Sequence, residues 1–191
     1  GHFLAFAHAT FPQAHIEGIE LDAARAEQAR GRAPWARVHS GDAAKVIAGI
    51  DGRFDLITLW DVFEHLTDPV ALLAELAGRL EGDGVIYIQT IHEHSVVPAL
   101  GRWAYRLSNG RVSYPARRTH EAHHLVFFSR RSLALAAERA GLRERKMWFD
   151  RLARSRMDGS VLVTAALLAG TLLTAGMADA LAQLKVYALQ P

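Results

Sequence analysis

Cysteine is absent from all 191 residues. That absence excludes a disulfide scaffold, a thiolate nucleophile and any Cys-ligated metal, and it agrees with a reducing cytosol. The chain has no internal repeat and no nucleic-acid module signature. Its opening residues, His2 to His8, lack the basic n-region of a signal peptide and form too short a run for one. Large net charge is also missing: the formal balance is +2, with 50% hydrophobic and 22% charged residues. Such a composition describes a globular, soluble chain of one domain, long enough for a real core.

What charge there is lies unevenly. Basic residues crowd the stretch from Arg102 to Arg156, with few acids opposing them. One reading is a solvated surface; the other is a surface for an anionic substrate or lipid headgroups.

The stretch that organises the rest runs from Phe54 to Pro69. Phe54 to Leu59 is an apolar run of strand length. It turns polar at Trp60-Asp61 and again at Glu64-His65. In an open α/β sheet, ligands sit at the carboxyl ends of strands, so these four residues stand where a ligand would be. Asp68 is placed to cap a helix with Pro69 at its first position. Leu72, Leu73, Leu76 and Leu80 form one apolar face of that helix, Gly82 ends it, and Val85 to Thr90 is a further strand.

Upstream, His15 to Glu20 reads as a short strand ending in an acid, and Asp22 leads into a helix from Ala23 to Arg30. A carboxylate at such a strand end accepts hydrogen bonds from both hydroxyls of a ribose. Ala36 to Asp42 is another strand and turn, where Asp42 is also placed as a helix N-cap. Downstream, Ile91 to Ala122 is too long for a simple connection and carries Trp103, Tyr105 and Tyr114. Ser129 caps a helix that Gly141 stops; strands follow at Leu142 to Phe149 and Leu184 to Leu189. Between these strands, the uncharged run from Val161 to Ala178 just reaches membrane-spanning length, yet contains Gly170 and Gly176. The favoured reading is a helix over a substrate pocket or core face; lipid contact is the alternative.

The series Phe54-Asp-Leu-Ile, then Glu64-His65-x-x-Asp68-Pro69, resembles the fourth-strand motif of class I S-adenosylmethionine-dependent methyltransferases. The ubiquinone-biosynthesis O-methyltransferases and small-molecule methyltransferases are its nearest look-alikes. The resemblance implies an α/β, Rossmann-like, doubly wound fold with a mostly parallel sheet and an antiparallel last strand. Gly1-His-Phe-Leu looks like the tail of the family's glycine-rich loop, which implies that the first strand is missing ahead of Gly1. It implies one methyltransferase-like domain over residues 1–191, with a lid or substrate insertion at about 91–122 and an apolar helical segment at about 160–178.

For the site, the resemblance implies that S-adenosylmethionine is held by Gly1, Glu20, Leu21, Asp42, Ala43, Trp60 and Asp61. Glu20 would bind the ribose, Leu21 would lie on the adenine, Asp42 would accept from its exocyclic amine and Ala43 would offer a backbone amide. Trp103, Tyr105 and Tyr114 would contact a small-molecule acceptor, one with a lipid or sugar portion included. A histidine suits proton removal from that acceptor; His65 is the candidate catalytic base, with His92, His94, His123 and His124 in reserve. No metal is favoured; the alternative takes Asp61, Glu64 and His65 as ligands for Mg2+. The cytoplasm is the expected location, with membrane association as the alternative. A non-catalytic methyltransferase-like binding module is the competing function, and a nicotinamide-dependent oxidoreductase stands behind it.

Overall fold

The computed structural model describes residues 2–91, 103, 105–111, 113, 124–151 and 182–190. The chain divides into two compact units, Gly1–Gly52 and Arg53–Pro191.

In the first unit, β1 (Glu17–Glu20) and β2 (Arg37–Ser40) pair in parallel, from Glu17 opposite Arg37 to Glu20 opposite Ser40. The crossover between them is α2 (Ala23–Arg32). It begins where it does because the Asp22 carboxylate accepts from the Arg25 amide at 2.8 Å. Ala26 and Ala29 are its buried residues, packed with Val38 and flanked by Leu4 of α1 (His2–Thr10). After β2, Asp42 caps the short α3 (Ala43–Val46).

The second unit holds a four-stranded sheet in the order β3-β4-β6-β5. β3 (Phe54–Trp60) lies parallel to β4 (Leu80–Thr90). β6 (Ala182–Gln190) is inserted antiparallel between β4 and β5 (Arg143–Arg151). The chain's last strand therefore runs antiparallel, as the resemblance implied. Leu72, Leu73 and Leu76 of α4 (Pro69–Gly78) are buried, as are Leu133, Ala136 and Ala137 of α5 (Arg130–Arg139). Burying each of these leucines contributes roughly 1.5–3 kcal/mol. Ser129 caps α5 in a reciprocal capping box with Ser132, and Gly141, at φ 77°, turns the chain out of it.

One expected boundary moves. The helix from Pro69 does not run through Leu80 to Gly82; it ends at Gly78, and Leu80 already pairs with Phe54 as the first residue of β4. Backbone pairing overrides the apolar periodicity. The Phe54 amide donates to the Arg79 carbonyl at 2.8 Å, and Arg53 Nη1 donates to the Leu80 carbonyl at 2.8 Å. Gly82 lies within β4 and stops no helix, and Gly84 stands at a bulge. Between Phe54↔Leu80 and Leu56↔Val85 the register shifts, and a Cβ at Gly84 would stand 2.8 Å from the Phe54 carbonyl oxygen.

Of the insertion expected at about 91–122, the structure describes residues 91, 103, 105–111 and 113. Tyr114, Gly1 and the apolar run from Val161 to Ala178 lie outside the described residues. Among the described residues, no helix is long and apolar enough to cross a membrane.

Glu17 gives the first unit a pH-dependent tie. Burial pushes its carboxyl up. Hydrogen bonds from His15 at 2.8 Å and His39 at 2.7 Å, with the Arg37 charge, outweigh that and leave it below the ordinary value of 4.5. A carboxyl lowered by folding stabilises fully above its unfolded value, and that stability is lost as pH falls through the lowered folded value. Thermal melts should therefore find the native chain more stable than Glu17→Gln near neutrality, with the gap closing as the pH drops below about 4. A constant gap across that range would mean that Glu17 acts through packing alone.

Candidate functional site

The carboxyl ends of β1 and β2 bring two predicted residues side by side. Glu20 is the last residue of β1, and its carbonyl accepts from the Gly41 amide at 2.9 Å, which ties it to the turn carrying Asp42. Glu20 Oε1 accepts from the Asp22 amide at 3.1 Å, and Asp42 Oδ1 accepts from the Ala44 amide at 3.0 Å. Asp42 is thus an N-cap, as the turn reading expected. Leu21, the residue after Glu20, is 74% exposed. Two carboxylates at neighbouring strand ends offer acceptors for O–H and N–H donors.

In the second unit the chemistry gathers at the carboxyl ends of β3 and β4. Among the described residues three polar side chains are buried, Glu64, Gln89 and Thr90, and all three lie there. Successive residues of a strand face opposite sides of a sheet, so Gln89 and Thr90 serve opposite faces of β4. On one face, Gln89 Nε2 donates to Asp61 Oδ1 at 3.2 Å, and the Trp60 and Tyr87 rings pack at 4.7 Å. Asp61 sits at φ 51°, a left-handed conformation that Asp tolerates better than most residues, and its amide donates to the Gln89 carbonyl at 3.0 Å. On the other face, Thr90 Oγ1 donates to Glu64 Oε2 at 2.9 Å.

Glu64 is 1% exposed, and its Oε1 has no hydrogen-bond partner among the described residues. Burial raises its carboxyl above the ordinary value. The Thr90 bond and the His65 charge pull it down without overcoming burial, and the Asp61 charge adds to the rise. His65 is exposed on the same turn, and its ring lies 4.9 Å from that of His124.

The group anticipated for a metal, Asp61 with Glu64 and His65, is not the one that comes together. Gln89 holds Asp61 on its own face. The ligand atoms within 4.8 Å of one another belong to Glu64, His65 and His124. Two imidazoles among three donors are a poor match for Mg2+, which prefers oxygen. Of the expected acceptor contacts, Trp103 and Tyr105 are 62% and 48% exposed. Gln89 and Thr90 were missed in the sequence. Their signal was present as two polar residues closing the apolar run Val85 to Ile88.

A family described as a methyltransferase domain matches residues 1–145 of the chain. The chain belongs to that family, as a class I S-adenosylmethionine-dependent methyltransferase. No curated protein matches the sequence. Solved structures share the fold at low identity. The plantazolicin methyltransferase BamL, solved with a triazolic desmethylPZN analog and S-adenosylhomocysteine (SAH), is 14% identical with a TM-score of 0.66, over 100% of this chain and 73% of that one. A SAM-dependent methyltransferase from Archaeoglobus fulgidus is 12% identical at TM-score 0.60, covering 99% and 93%. Magnesium protoporphyrin IX methyltransferase (ChlM) from Synechocystis PCC 6803, with bound SAH, is 11% identical at 0.59, covering 98% and 68%.

Glutamine is the natural probe of Glu64, since it keeps the shape and an acceptor for Thr90. A carboxyl raised by folding costs stability as pH climbs from its unfolded value, near 4.5, through the raised folded one. Denaturant titrations should show Glu64→Gln gaining on the native chain over that interval, by about 1.4 kcal/mol per unit of upward shift. Parallel stability curves would place the proton elsewhere.

Proposed function

We propose that this methyltransferase moves the methyl group of S-adenosylmethionine to an oxygen or nitrogen of a small-molecule acceptor. The observation that supports the cofactor's placement is the pair of carboxylates, Glu20 and Asp42, at adjacent strand ends. In this reading Glu20 accepts from the ribose hydroxyls, Asp42 accepts from the adenine amine beside the Ala43 amide, and Leu21 covers the ring. By the sequence resemblance, Gly1, Trp60 and Asp61 are further cofactor candidates. The cofactor supplies an electrophilic methyl on a sulfonium. The protein's task is alignment of the acceptor with that carbon, and alignment alone can supply much of the rate. His65 takes the acceptor's proton where the acceptor carries one. No metal step is part of the proposal.

In this reading the acceptor meets Trp103, Tyr105 and Tyr114, the residues that the sequence resemblance implies. Wide apolar rings with polar tips suit an amphipathic molecule, and the arginines of this region suit a phosphate or carboxylate on it. An acceptor with a lipid or sugar portion meets both features. BamL, a plantazolicin methyltransferase, and ChlM, a magnesium protoporphyrin IX methyltransferase, share the fold, in keeping with a small-molecule acceptor.

Calorimetry with SAH tests the cofactor half. Glu20→Ala should weaken binding by about 1.5–3 kcal/mol, the cost of a lost charged hydrogen-bond partner, and leave the melting temperature nearly unchanged. Unaltered affinity would remove Glu20 from the ribose. The acceptor half is separable: after an acceptor screen, the double change Trp103→Ala and Tyr105→Ala should raise the acceptor KM or lower kcat several-fold at constant SAH affinity. Unaltered acceptor kinetics would make both rings mere surface.

A further inference from the structure

Three donor side chains meet beside the turn at Phe63–His65. Glu64 and His65 are neighbours on that turn. His124 arrives from the run that leads into α5, and the backbone brings it there. The amides of Leu125 and Val126, the two residues after it, donate to the Glu64 carbonyl at 2.9 and 3.1 Å. The Phe127 ring meets the His124 ring edge-on at 6.0 Å, and the His65 ring lies 4.9 Å from it. Thr90 Oγ1 holds one oxygen of the Glu64 carboxyl at 2.9 Å. The other oxygen, Oε1, is buried with no hydrogen-bond partner among the described residues, a costly place for a polar atom that binds nothing.

We propose that Glu64, His65 and His124 form a binding site for a divalent cation of the Zn2+ class. One ligand atom from each of the three lies within 4.8 Å of the other two. Zn2+ takes nitrogen and carboxylate oxygen at about 2.0–2.2 Å, which sets its ligand atoms roughly 3–3.5 Å apart, so the set closes by on the order of 1 Å. His65 is exposed and can turn to close it. Two imidazoles and one carboxylate satisfy three positions of a tetrahedron and leave the fourth to water. Mg2+ keeps to oxygen in an octahedron and is poorly served by two nitrogens. The Thr90 hydroxyl acts as an outer-shell partner here, fixing the direction of the carboxylate that meets the ion. The ion in turn compensates the burial of a charged group. A His65 nitrogen bound to the cation cannot also take an acceptor's proton. The site is therefore no step of the methyl transfer proposed above, and the inference does not rest on that reading.

Metal titrations of the whole chain, free of any histidine tag, test the site without an acceptor. Zn2+ followed by calorimetry and Co2+ followed by its visible absorption should both bind, and a roughly hundredfold excess of Mg2+ should displace neither. Glu64→Gln keeps an acceptor for Thr90 and removes the charge. That change and His124→Ala should each weaken Zn2+ binding about tenfold or more and reduce the Co2+ absorption. His39→Ala removes a histidine from the cluster around Glu17 and should bind Zn2+ as the native chain does. Should His124→Ala fail to fold, His65→Ala, a change at an exposed position, decides in its place. Absence of Zn2+ binding overturns the site. So does native affinity in Glu64→Gln and the histidine variant, which would leave only adventitious binding by surface histidines. An equal loss in His39→Ala, or displacement by an equal concentration of Mg2+, overturns it as well. Failure of the native chain to bind SAH would instead count against the proposed function, and leaves the metal titration standing.

Discussion

A carboxyl group that is almost wholly buried, with one oxygen bonded to Thr90 and the other without a partner among the described residues, is the constraint on which the second unit depends. Apolar strands such as β3 and β4 pack readily and say little about where they should end. The buried polar groups decide that. Thr90 and Gln89 close β4 with side chains that need partners, and Glu64 and Asp61, just beyond β3, supply them. Each pairing lowers the desolvation cost of both members, so the two strand ends are held together by groups that could not be satisfied apart. Phe63 against Phe128 then adds apolar burial beneath the polar layer.

Division between the two faces of β4 separates two kinds of work. Asp61 and Gln89 stand with Trp60 and Tyr87, a wide aromatic surface with a carboxylate at its edge. Glu64 and Thr90 stand with the histidine pair. The family resemblance offered Asp61, Glu64 and His65 as one alternative ligand set. The alternation of β4 sends their partners in opposite directions, and so the acids part. The same geometry brings in His124 from far along the chain, which no local spacing predicts.

Much of the fold was legible because its signals are local. Asp22, Asp68 and Ser129 each cap the helix that the sequence assigns to them, and Gly141 ends α5 with the positive φ expected of a helix stop. The acid at the end of β1 and the Asp42 turn were likewise readable, since strand, carboxylate and helix follow one another within a few residues. What was not legible depends on distant backbone. Leu80 carries the right period for α4 and is taken by β4 because Phe54 pairs with it. Gly84 is required by the Phe54 carbonyl of another strand together with the Glu81 backbone nearby, a crowding that depends on how β4 bends to meet β3.

The site shows the same split, with a physical reason behind it. Capping and nucleoside binding make the same demand on an acidic side chain, an oxygen aimed at N–H or O–H donors beyond a strand end. Asp42 illustrates it: Oδ1 meets the Ala44 amide, and a carboxylate has a second oxygen and further lone pairs to offer. The cap fixes the side chain's rotamer, and a fixed carboxylate loses less entropy when it accepts a second donor. An N-cap at a strand's carboxyl end is thus a preorganised acceptor as well as a helix start. The two readings of Asp42 were therefore never rivals. Capping is the local event that a sequence can display, and it prepares the geometry that cofactor binding would use.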